Sequence, residues 1–93
     1  MINKNILIIR KDLDKLDDSL LEIIKKRTKL VNKVIQNKKH KKDIIDKKRI
    51  KVILKNISKK SKQKKIDPLI TRKIWKSMIK AFIDYEFRNF NKK

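Results

Sequence analysis

Not one glycine occurs in the 93-residue chain, and Pro68 is its only proline. Tight two-residue hairpins depend on residues that accept positive φ, glycine above all, so sheets built from hairpins are largely closed to this sequence. Alternation of period two is scarce as well, whereas apolar residues recur every three or four positions: Ile6, Ile9, Leu13, Leu16, Leu20, Ile23, Leu30 and Val34. That is the spacing of one helix face. The fold is expected to be all-α.

The ladder runs from about Asn5 to Lys38 without a breaker, which at 1.5 Å per residue predicts a helix of roughly 50 Å. Such a helix outruns the core that a chain of this size can build, so part of its stripe is expected to pack on the same helix of a second subunit. One rung is not apolar. Arg27 stands where the next aliphatic should be, and a cation on a buried stripe calls for an anion.

Lys38 to Lys42, with His40 inside it, reads as a connection. A second, shorter helix follows, capped by Asp46, with Ile45, Arg49, Ile50, Ile53 and Ile57 near one face. Ser58 to Lys65 is polar and lysine-dense and reads as a solvated loop. Asp67 and Pro68 are favoured at the N-cap and first position of a helix. This third helix is expected to reach about Phe90, with Ile70, Ile74, Trp75, Met78, Ile79 and Phe82 facing inward and Glu86 on the same greasy face.

The formal net charge of +20 invites a polyanionic partner, nucleic acid or an anionic membrane. A plainer account is that most lysines fill exposed positions in a chain rich in residues with A- and T-rich codons. Cysteine is absent, which excludes disulfides and thiolate chemistry. The run Ile6 to Ile9 is too brief for a signal-peptide core or a membrane span, so a cytoplasmic, soluble protein without membrane association is the expectation.

Arginine is the scarcer base, five of thirty, and Arg10, Arg27 and Arg49 all lie beside apolar faces. A guanidinium presents a planar fork to a carboxylate, which an ammonium does not. Arg27 and Lys38 are eleven residues apart, about three turns, and share a direction with Val34 between them. Arg10 is rotated from that stripe by roughly 100° and cannot easily serve the same pocket in one subunit. His40 is isolated, so neither a metal cluster nor a Ser/His/Asp arrangement can be assembled. Asp12, Asp14, Asp17 and Asp18 crowd the start of the first helix, where its dipole and nearby lysines account for them. What remains is a cationic pocket for a small polyanion, with one carboxyl group in apolar surroundings and no metal or cofactor.

The segment IRKDLDKLDDSLLEIIKKRTKLVNKV (residues 9–34), with Lys38, the DKKR of Asp46 to Arg49 and IDPLITRKIWKSMIKAFIDYE (66–86), resembles the all-helical chorismate mutase family. The resemblance covers nearly the whole chain. It implies three helices per subunit, one long at the N-terminus, one short and one C-terminal, intertwined in a homodimer. It further implies conversion of chorismate to prephenate without cofactor. By position, Arg27 would hold the side-chain carboxylate of the substrate and Arg10 would reach into the partner's pocket. Lys38 would contact a carboxylate and the ether oxygen, Arg49 would support the site, and Asp46 would lie beside the ring hydroxyl. Glu86 falls where many members carry a glutamine that donates to the ether oxygen. Two positions depart from the pattern: Ile50 replaces an acid that binds the ring hydroxyl, and Phe82 replaces a pocket serine. Val34 and Ile79 complete the expected lining. A lyase acting on isochorismate shares this fold and stands as one alternative, a basic helical nucleic-acid-binding protein as another.

Overall fold

The computed structural model describes residues 3–92, which form three α-helices: α1 (Lys4–Asn37), α2 (Lys47–Gln63) and α3 (Pro68–Asn89). Short 3-10 turns occupy Lys41–Asp43 and Phe90–Lys92, and no strand occurs among the described residues. The chain divides into two units, one ending at Leu30 and the other beginning at Val31. Among the described residues no helix is long and apolar enough to cross a membrane.

Each helix starts where a short polar side chain satisfies an otherwise orphaned backbone donor. Asn3 Oδ1 accepts from Ile6 N at 2.9 Å, Asp46 Oδ1 from Arg49 N at 3.0 Å, and Asp67 Oδ1 from Leu69 N at 2.9 Å. Pro68 takes the first position of α3, where no N–H is needed. The expected helix boundaries at Asn5, Lys38 and Phe90 hold to within a residue or so.

The first unit is α1 up to Leu30, and none of its described side chains is buried. Its ladder is open, with Leu16 64% exposed and Leu13, Leu20, Ile23 and Leu30 all more than half so.

Among the described residues the buried ones all lie in the second unit: Ile35 and Ile44, each 3% exposed, with Ser61, Thr71 and Glu86. Here α2 and α3 pack as a helical hairpin. Two expectations need correcting. The stretch from Ser58 is not a loop, because α2 continues to Gln63 and Ser61 is buried. Ser61 Oγ lies 2.6 Å from Ile57 O and 2.7 Å from Thr71 Oγ1, and Thr71 Oγ1 lies 3.2 Å from Pro68 O, so one hydroxyl donates across the contact to the other, whose own proton goes to a carbonyl of its own helix. A hydroxyl pair that satisfies itself is a tolerable interior contact between two closely approaching helices. The inner face of α3 is as expected from Trp75 to Glu86 but differs over its first two turns. It runs through Thr71, Trp75, Met78, Ile79, Phe82 and Glu86, while Ile70 and Ile74 are more than half exposed. Each of those two sits one residue, about 100°, ahead of a packed neighbour, Thr71 or Trp75.

The turn between α2 and α3 is built without glycine. Lys65 takes φ 58°, its N–H donates to Lys62 O at 3.2 Å, and Ile66 N donates to Ser61 O at 2.8 Å. These bonds form a Schellman termination with lysine in the left-handed position that glycine usually fills. The exposed end of a flexible side chain causes no clash there, but the backbone conformation costs about 1 kcal/mol relative to glycine.

Candidate active site

The site grows from the C-terminal end of α1. Lys38 follows the last residue of that helix, and its N–H closes onto Val34 O and Ile35 O at 3.1 and 3.2 Å. This fixes the Lys38 backbone. A compact turn follows, in which Asp43 N donates to His40 O at 3.0 Å and His40 N to Asp43 Oδ2 at 3.3 Å. The turn delivers Ile44 into the interior and leaves its carbonyl aimed at Lys38.

Lys38 Nζ donates to Ile44 O at 3.3 Å and to Glu86 Oε1 at 3.1 Å. The two charged side chains are only 20% and 10% exposed. Glu86 comes from α3, 48 residues along the chain. Two ionisable groups are withdrawn from water only when they neutralise one another, and a second, carbonyl acceptor fixes the ammonium's direction. The result is a preoriented cation beside a carboxyl group, on a face continued by half-buried Phe82 and Ile79 one and two turns earlier on α3. Charge in such surroundings is less screened than in open water and interacts more strongly with a charged or polar ligand.

Of the sequence-predicted residues, Lys38 and Glu86 are brought together directly. Ile50, Ile79 and Phe82 are half-buried, and Val34 is largely exposed one turn before Lys38. Asp46 and Arg49 are exposed at the start of α2, where the Asp46 carboxylate caps the helix through Arg49 N. Arg10 is exposed and Arg27 half-buried, both in the first unit.

Two features escaped sequence reasoning. The Ile44 carbonyl is a backbone group and carries no side-chain signal. Tyr85, one residue before Glu86, donates through its hydroxyl to Asn32 Oδ1 at 2.6 Å. Its ring meets Phe82 edge-on, centroids 6.4 Å apart and planes at 77°, and Arg88 lies 6.0 Å from its centre. These contacts hold the α3 turn that carries Glu86. A lone tyrosine among helical apolars is the only hint the sequence offers.

No curated protein and no solved structure matches the chain. A family model does, over residues 9–87, and its description is chorismate mutase type II. The match spans most of the chain, runs from the N-terminal part of α1 to just beyond Glu86, and encloses both halves of the Lys38–Glu86 pair. With described residues that are helical, a preoriented ammonium–carboxyl pair between Lys38 and Glu86 and a family match of this extent, the chain is an enzyme, an isomerase, and it belongs to the chorismate mutase type II family.

Proposed function

We propose that the protein converts chorismate to prephenate, in aromatic amino-acid biosynthesis in the cytoplasm, as a homodimer whose pockets draw on both subunits. The observation that carries the reading is the Lys38–Glu86 pair. The rearrangement is pericyclic, so it asks for no nucleophile, base or metal. Catalysis then consists of holding the folded, reactive conformer and of stabilising the negative charge that grows on the breaking ether oxygen.

Lys38 takes the second role: its ammonium is already desolvated and oriented, and so undergoes little rearrangement as charge develops. Glu86, when it carries a proton, donates a hydrogen bond to the same oxygen. By position in the family pattern, Arg27 binds the side-chain carboxylate, and Arg10 of one subunit enters the pocket of the other. Arg49 and Asp46 act at the ring end, where Ile50 replaces the acid that meets the ring hydroxyl in other members. Phe82 and Ile79 supply apolar walls, with Val34 beside Lys38.

Dimerisation is supported by the exposed α1 stripe, a row of aliphatics with no partner in its own unit. A C2 pairing of identical stripes would cover them and close the pocket.

The test is to add purified protein to chorismate, follow the loss of its ultraviolet diene absorbance and identify the product. Prephenate is expected. Absorbance that does not fall, or pyruvate released from isochorismate in preference to chorismate turnover, overturns the reading. Glu86→Gln, a permanently neutral donor of the same shape, is expected to stay active where Glu86→Ala does not.

A further inference from the structure

An open groove of about 680 Å³ lies along α2 and the first turns of α3, and none of the residues assigned to substrate above lines it. Its lining includes Lys51, Lys55, Lys59 and Lys62 from α2 and Arg72 from α3, and it contains neither a carboxylate nor an aromatic ring. The volume is that of a ligand cleft. The four lysines step by four, four and three residues and so stand in one row, covering about 16 Å of helix at roughly 6 Å per lysine for most of its length.

Filling of exposed positions by lysine does not account for this row. α2 carries eight bases and no acid over its 17 residues, whereas the bases in the first half of α1 are interleaved with Asp12, Asp14, Asp17, Asp18 and Glu22, and the acid-free second half of α1 lines no part of this groove. Like charges one turn apart repel and destabilise the helix that carries them. Among the described residues none of these five groove cations forms an ion pair. Arg72 adds from the facing helix the planar fork that suits a phosphate.

The spacing selects the ligand. A compact dicarboxylate can meet only one or two of these groups, while an extended anion with charges at regular intervals meets the whole row. Without a ring on which a base could stack, recognition is confined to the phosphates. We propose that the groove binds a linear phosphate chain, either inorganic polyphosphate or the phosphodiester backbone of a nucleic acid, through Lys51, Lys55, Lys59, Lys62 and Arg72.

The experiment titrates the full chain into a fluorescently labelled, mixed-sequence single-stranded DNA at several salt concentrations and reads anisotropy. Five contacts predict a slope of log K against log salt of about −3.5. The variant K51Q/K55Q/K59Q/K62Q should flatten the slope by about 2.8 and weaken binding about a hundredfold at 150 mM salt. The variant K4Q/K11Q/K15Q/K25Q loses the same charge from α1 and should retain most of the affinity; Arg72→Gln alone should flatten the slope by about 0.7. Helicity by circular dichroism verifies that each variant is folded, and chorismate turnover by the groove variant should match the parent. Equal losses in the two quadruple variants would mean diffuse attraction and overturn the proposal, as would no loss in either. Displacement of the oligonucleotide by inorganic polyphosphate at equal phosphate concentration assigns the site to polyphosphate, and its failure assigns it to nucleic acid; both support a phosphate-chain groove.

Discussion

The two units of the chain treat their apolar residues in opposite ways. Up to Leu30 the aliphatics of α1 are arranged on a regular face, yet none of the described ones is buried. From Val31 onward, a more irregular pattern packs, and the buried ones among the described residues all lie there, three of the five polar or charged. A face can therefore be well formed in sequence and still lack cover. Helices of this kind gain little from propensity alone and are stabilised by tertiary or quaternary burial of the apolar face. The first unit leaves its apolar face exposed, while the second buries part of its own.

The sharpest break of that contrast is Leu16→Asp with Leu20→Asp. Each leucine side chain is worth about 1.5–3 kcal/mol when covered, and a twofold interface would lose four of them. The variant should sediment as a monomer and lose activity. Unchanged sedimentation would mean that the α1 stripe stays bare in solution.

Next in size is Lys38→Ala, which removes the preoriented ammonium from the packed unit and should lower kcat about a hundredfold or more, equivalent to about 3 kcal/mol. Mixing Arg10→Ala with Arg27→Ala chains links the units: each is expected to be inactive alone, and exchanged heterodimers to recover partial activity. Failure to recover after verified exchange would confine each pocket to one subunit.

Smaller effects test the packed unit itself. Thr71→Val keeps the shape but removes the hydroxyl facing Ser61, and should lower stability by about 1–2 kcal/mol in urea unfolding. Adding Ser61→Ala should cost less than the sum of the single changes, since the two hydroxyls share one interaction. Lys65→Gly should raise stability by up to about 1 kcal/mol, because glycine occupies the left-handed backbone of that turn without penalty.

Much of the fold was legible in advance because it rests on local rules. Asp46, Asp67 and Pro68 announce helix starts through hydrogen bonds that reach only two or three residues, and the α1 period is set by the helix itself. The end of α2 was not legible. Lysine density in residues 58–65 resembles a linker, and nothing local reveals that Ser61 meets Thr71 across the hairpin. The covered positions in the first turns of α3 were hidden for the same reason: Ile70 and Thr71 differ by one position, and only the approach of α2 decides which is covered. At the site, Lys38 and Glu86 stood out as a cation and a carboxyl group on apolar faces, but the Ile44 carbonyl and the Tyr85 brace depend on how the 40–44 turn and α3 are placed.

Taken by itself, the order of residues determined the helices, their caps, the lack of strands among the described residues and the family, because each follows from interactions within a few positions or from a pattern along the chain. Tertiary structure alone decided that an ammonium and a carboxyl group 48 residues apart would meet at 3.1 Å, and that the Ser61 and Thr71 hydroxyls would be buried together between α2 and α3 while Ile70 and Ile74 stay exposed. The reason is burial: which groups leave water depends on the element that covers them, and that element lies far away in sequence.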